Sequence, residues 1–412
     1  MEWDSSRYAL LKIITLPTRA LDDPCAKRKG YDLAKLLEPD VRALRKKLVL
    51  FLLLSLLVAQ PAEATTYPLT FAFGRSWPLY MTVDSARGLA YADGTSGINP
   101  MTGFSFGVIN VTTHQLAKVL PLDEIPGPVA LDQSNGDVFV AGNYTIEVYD
   151  AATQSFSGFV KVGLPIQNVA FDSNASNNIF VTAGDGVYAL DPQTDAVVAN
   201  ATLHGGPDGM ALDPANGRLF VAEYLSPVVT VFQASSLSLV GTISFPNCCA
   251  TSPQSLALDP MTQTLYASTG TGYVEMMNAE NDSLIKSVLV APSAGNSTNA
   301  IAVNDVNDRV YVASSPGGSV LELDGSTGAV IRTLKVPSDS QVVSLAVDTS
   351  TQEVYAPNYH QITVFDAART GIIFGLVVFG AVGVALVAVV AVALYLFLRK
   401  KDADERTRIQ SG

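Results

Sequence analysis

The feature that most constrains this chain is a unit that returns seven times. An apolar residue followed by an acid or its amide precedes a turn at Val83-Asp84, Leu131-Asp132, Phe171-Asp172, Leu212-Asp213, Leu258-Asp259, Val303-Asn304 and Val347-Asp348. Successive anchors lie 48, 40, 41, 46, 45 and 44 residues apart. A unit of that length cannot bury its own apolar face, so neighbouring copies must stack. Several short strands per unit at this spacing are the mark of β-propeller blades.

One unit shows the anatomy. Residues 207–212, PDGMAL, read as the innermost strand, and 213–217, DPANG, carry turn chemistry. RLFVA at 218–222, VVTVF at 228–232 and LVGTISF at 239–245 follow as second, third and fourth strands. The anchor aspartate has the charge of a metal ligand. Its place ahead of x-x-x-Gly/Asn instead assigns it to capping the backbone of the turn.

Seven anchors imply seven blades. The last unit holds SLAVD, EVYAP and ITVFD but reaches Ala368 without a fourth strand. At the other end, 67–73, YPLTFAF, is a strand with no unit of its own. It is expected to complete the last blade, which ties the ring shut and removes an open sheet edge. The fold expected is therefore all-β, a seven-bladed β-propeller closed by an N-terminal strand, with one C-terminal transmembrane helix.

The units resemble the YVTN-type repeats of lactonase-like and NHL-like surface propellers. The lines that carry the resemblance are NGRLFVAEYLSPVVTVFQASSLSLVGTISF at 216–245 and NDRVYVASSPGGSVLELDGSTGAVIRTLKV at 307–336. It covers 83–368, and the literal YVTN tetrad is replaced by VFVA, LFVA, VYVA and VYAP. The resemblance implies a propeller. For activity it implies a range, from surface antigens and periplasmic binders to enzymes, because one fold serves many functions.

Two apolar runs set the expected topology. LVLFLLLSLLVA at 48–59 follows Arg42, Arg45, Lys46 and Lys47 and precedes QPAEA at 60–64. A basic flank, a short apolar run and a small-residue close make a secretory signal, with cleavage expected after Ala64. Twelve helical residues rise only about 18 Å, too short for a bilayer core of roughly 30 Å. The second run, 371–398, has 28 residues without a charge and is followed at once by Arg399, Lys400 and Lys401. That is long enough to span, and the basic flank places the C-terminus in the cytoplasm. The expected organisation is a basic leader at 1–47, a signal at 48–64, an extracellular propeller at 65–368, a membrane helix at 369–398 and a basic tail at 399–412. Gly371-x-x-x-Gly375 fits a helix-pairing motif, and equally glycines that face lipid. Glycosylation sequons begin at Asn110, Asn143, Asn174, Asn200, Asn281 and Asn296, all in the part expected outside.

Charge divides along the same lines. Residues 65–368 hold 27 Asp+Glu and 9 Lys+Arg, a net of −18, while the whole chain is −12. Such a domain repels phosphate backbones, so nucleic acid is not an expected partner. The three cysteines are Cys25, Cys248 and Cys249. They make no C-x-x-C pair for zinc. Cys248 and Cys249 form either a strained vicinal disulfide or two free thiols in a loop.

Propellers bind in the funnel at one end of the central channel. The loops that enter each first strand and leave each second strand hold Trp77, Tyr80, Gln167, Asn168, Asp185, Asp208, Glu223, Tyr224, Gln254, Asn299, Gln341, Tyr359 and His360. This polar and aromatic set suits a hydrogen-bonded ligand such as a surface glycan, peptide or protein, and it equally describes a solvated loop set. His204 or His360 with Asp208 and Glu223 form the one candidate set for a divalent cation such as calcium; no cofactor is otherwise expected. There is no Walker or H-E-x-x-H motif. The leading expectation is a single-pass cell-membrane protein with a non-enzymatic binding or adhesion module outside. A metal-dependent hydrolase or lyase of the lactonase or streptogramin-lyase type is the second reading, and a structural envelope component the third.

Overall fold

A computed structural model of the chain describes residues 65–67 and 76–366, except 97–102, 175, 225, 246–252, 292–296, 316–317, 337–340 and 359–360. For residues 65–67, 76–77, 96, 297–299 and 315 only the backbone is described. The expected leader, signal, membrane helix and tail lie outside these residues, as do Cys248, Cys249, Asn296 and His360. Among the described residues no helix is long and apolar enough to cross a membrane.

The described residues form seven four-stranded antiparallel sheets. Blades 1 to 6 occupy 76–122, 129–161, 166–202, 207–244, 253–289 and 297–335, each with its strands in sequence order. Blade 7 takes three strands from 346–366 and its fourth from Thr65–Tyr67. The pairs Thr65↔Val364, Thr66↔Thr363 and Tyr67↔Ile362 make that closure. The closing strand thus begins before the segment read from the sequence and shares only Tyr67 with it; 68–73 are outside the described residues.

The core is not one mass but seven apolar seams, one between each pair of adjacent blades. Phe220, Val229 and Ile243 of blade 4 meet Leu256, Leu265 and Met277 of blade 5. Met81, Ala90 and Ile109 of blade 1 meet Ala346, Tyr355 and Val364 of blade 7, which closes the ring. The second strand of every blade is buried on both faces, so it reads as a continuous apolar run such as Val138–Ala141 or Ile179–Ala183 rather than an alternating one. Each such strand places one aromatic inside: Tyr91, Phe139, Phe180, Phe220, Tyr266, Tyr311 and Tyr355. Burying side chains of this size contributes about 1.5–3 kcal/mol apiece by area.

The anchors end each innermost strand, and all seven of their polar side chains are buried. Each one accepts hydrogen bonds from the turn behind it. Asp213 takes the backbone N–H of Ala215 at 3.1 Å and of Asn216 at 3.2 Å. Asp259 takes those of Met261 and Thr262, Asp348 that of Ser350, and Asn304 that of Val306. The same turns hold a residue with positive φ, either glycine (Gly88, Gly136, Gly217) or Asn177, Gln263, Asp308 and Gln352. The anchors are turn caps, as their spacing predicts.

Polar stitches join the same blades that the seams join. Between blades 7 and 1, Ser344 Oγ donates to Leu79 O at 2.9 Å, and Thr349 N to Ser85 Oγ at 3.0 Å. His114, in an outer turn of blade 1, contacts Glu353 Oε2 of blade 7 at 2.9 Å. Arg218 of blade 4 pairs with Asp282 of blade 5 at 2.5 Å.

Candidate functional site

The innermost strands enter the ring from one end, and there they enclose a cavity of about 890 Å³. All seven blades line it. Four residues before each anchor sits one lining residue: Tyr80, Pro128, Asn168, Gly209, Ser255, Ala300 and Ser344. Most are small, because seven strands converge on the axis and bulk there would fill the channel. A Cβ on Gly209 would lie 2.8 Å from Ser255 Cα and 2.9 Å from Gln254 O, so blades 4 and 5 approach too closely for alanine. Backbone irregularities recur where these strands start, at Pro78/Met81, Ile166/Asn168, Pro207/Met210, Pro253/Ser255 and Thr298/Ile301. Such bulges turn side chains toward the axis that a regular strand would point into a seam.

The polar lining is amide-rich. Gln167 Nε2 donates to Gly184 O at 3.3 Å, and Asn168 Nδ2 donates to Asp208 O, joining blade 3 to blade 4. Gln254 Oε1 is buried with no hydrogen-bond partner among the described residues. Gln341 is exposed at the rim. Among the described residues of the lining Asp208 is the one carboxylic acid, and none is Lys, Arg or His. Burial pushes its carboxyl up to about 6. Apolar surface comes from Ile125, Ile166, Met210 and Leu345. The lining is more polar than apolar and the cavity is open at its mouth, which suits a hydrogen-bonded ligand better than an apolar one.

Of the residues named from sequence, Tyr80, Gln167, Asn168, Asp208, Gln254 and Gln341 are brought together here. Three others are placed elsewhere, Asp185 being exposed outside the lining. Glu223 is buried at the end of its strand, taking Gly205 N at 2.8 Å and the Thr230 hydroxyl at 2.5 Å, so it braces the loop that leads into blade 4. Tyr224 is exposed outside the lining. The side chains of Trp77 and Asn299 are not described, and His360 lies outside the described residues. Sequence reasoning missed Pro128, Gly209, Ser255, Ala300 and Ser344. Counting four back from each anchor finds every one of them, a signal that polarity alone does not carry.

One buried acid stands beside the site. Asp93 on the second strand of blade 1 accepts the Tyr80 N–H at 2.9 Å, and its Oδ2 has no partner among the described residues. Burial holds its carboxyl well above the usual range, against the pull of that N–H. Among the described residues no three His, Cys, Asp or Glu side chains come together to hold a metal ion. Of the sequons, Asn143 is exposed and lines the mouth, while Asn174, Asn200 and Asn281 are exposed elsewhere. Asn110 is half-buried, its Oδ1 taking both Thr113 N and Thr113 Oγ1.

No family model matches this sequence, and no curated protein is detectably similar to it. The fold has solved counterparts. The β-propeller domain of Cps50 (Swd1) from Myceliophteria thermophila superposes with a TM-score of 0.63 at 9% identity, covering 75% of this chain and all of that one. At that identity the likeness establishes the propeller fold.

Proposed function

We propose that this chain is an exported, membrane-anchored binding protein whose propeller holds a hydrogen-bonding ligand in its central channel. The observation that carries this reading is the cavity lined by all seven blades, where the described residues supply the amides of Gln167, Asn168, Gln254 and Gln341 and, as their one carboxyl, Asp208. The ligand class that fits is a glycan or peptide segment with donors for these acceptors, cationic or neutral rather than anionic. The signal at 48–64, the 28-residue run at 371–398 and the basic residues behind it support display on the outer surface of the cell membrane. Exposed sequon asparagines agree with that placement. The YVTN- and NHL-like resemblance of the repeats is of a piece with it.

The test is a glycan and peptide array probed with the full chain in detergent, beside Asp208→Asn and Gln254→Ala. Specific binding that each variant weakens about tenfold supports the channel, since a charge-assisted or buried hydrogen bond is worth about 1.4 kcal/mol or more. Specific binding untouched by both variants places the ligand elsewhere and refutes the reading. A metal-dependent hydrolase or lyase has no observation in its favour among the described residues. Turnover that chelation abolishes and calcium restores would establish it instead.

A further inference from the structure

The ring has two unlike faces, and the chain leaves from only one of them. The channel mouth lies where innermost strands begin, as at Pro207 and Asp208. The opposite face carries the capped turns, where those strands end at Asp213, Asp259 and Asp348. In blade 7 the strand Glu353–Pro357 starts on the turn face, because Glu353 pairs with Asp348. The last strand runs antiparallel to it, so Asp366, opposite Glu353, ends on the turn face too.

Only residues 367–370 separate Asp366 from the uncharged run that begins at Gly371. Five Cα steps span about 18 Å at full extension. A seven-residue blade strand alone rises about 23 Å. An inverted ring would have to carry this tether back over the closing strand and past the whole height of the blade edge. The turn face itself also presents apolar tips. Met261 in blade 5 is 76% exposed and Val306 in blade 6 is 67% exposed, each on the turn behind an anchor. The anchor carboxylates on this face are buried as caps and present no charge outward. Exposed acids such as Asp195 and Glu280 remain, so geometry rather than charge attraction sets the arrangement.

We propose that the turn face of the propeller lies against the lipid surface, with Met261 and Val306 toward the headgroups, and that the channel mouth opens away from the membrane. This rests on the anchor reading above. It makes the mouth, with Asn143 on its rim, the face offered to partners in the medium, and it keeps ligands presented by the same membrane out of the channel.

The test uses the full chain with Cys25, Cys248 and Cys249 replaced by serine, reconstituted in phosphatidylcholine vesicles. A fluorophore is attached at Met261→Cys on the turn face or at Tyr224→Cys near the mouth, and lipids with spin-labelled headgroups serve as quencher. Flotation with the vesicles after an alkaline wash reports the anchor separately. The expected result is flotation with at least threefold stronger quenching at position 261 than at 224. Flotation with equal quenching at both positions, or stronger quenching at 224, overturns the orientation and leaves the anchor standing. Failure to float overturns both.

Discussion

Asp213 illustrates how one side chain can hold a turn without doing chemistry. Its carboxylate is fully buried and takes two backbone N–H groups and the Asn216 amide, the last at 2.8 Å. Asp213→Ala leaves those donors unpaired and is expected to cost about 1–3 kcal/mol, read as a shift in the urea midpoint. Asp213→Asn should cost far less, because Asn304 fills the equivalent place in blade 6. Equal damage from both variants would mean that charge, not capping, is what the position supplies. Gly209→Ala is expected to destabilise by about 1–3 kcal/mol, because the new Cβ meets backbone rather than a movable side chain. Gly158, with open space around its Cβ direction, is the neutral control. At this scale the sequence was informative where a residue type answers a backbone need, as at the caps. It was mute where position decides. Glu223 and Asp208 are both acids near a loop, yet one braces that loop and the other lines the channel. Asp208 sits at the bulged start of an innermost strand and Glu223 at the end of a second strand, a difference of position that no composition rule foretells.

Among the elements, the closing strand carries a burden out of proportion to its length. Its three pairs cover Ile362 and Val364, which are otherwise the apolar edge of an open sheet. A chain starting at residue 68 is expected to unfold at lower temperature and to aggregate at concentrations where the full chain does not. Unchanged melting and monodispersity would show that Thr65–Tyr67 is dispensable. The repeat made the seven blades and the missing fourth strand legible, because spacing and alternation are properties of the chain alone. The register of closure was not legible. Both TTY and YPLTFAF can pair as strands, and pairing with 362–364 is a tertiary choice.

At the scale of the whole molecule, acidity and burial act together. Burial raises the carboxyls of Asp93, Glu147, Glu275 and Asp308, and lifts Asp208 to about 6. The folded state therefore holds protons that the unfolded chain releases near pH 4. These groups stabilise most below that pH, and their contribution is lost as pH rises through the folded values. Asp348 acts in the opposite sense. Its burial is outweighed by hydrogen bonds from Ser350, Ser85 and Thr351, and Thr327 and Ser326 likewise lower Asp324. Their contribution is present above about pH 4 and lost below it. Self-repulsion in a domain of net −18 adds to the loss at high pH. Stability is expected to peak in mild acid, near pH ~5, with a lower melting temperature at pH 8. Asp208→Asn should flatten the fall up to pH 6, and a profile rising steadily to pH 8 would contradict this account.

The claim at the centre is that ligands enter the channel from its mouth. It is tested most directly by plugging that mouth in the serine-replaced full chain. Gln341→Cys places a thiol at the exposed rim of the lining, and Val306→Cys places one on the opposite face. Each is coupled to a bulky maleimide polymer and probed against the ligand the array identifies. Binding is expected to be lost with the polymer at 341 and kept with it at 306. Binding kept at 341 and lost at 306 would contradict the claim.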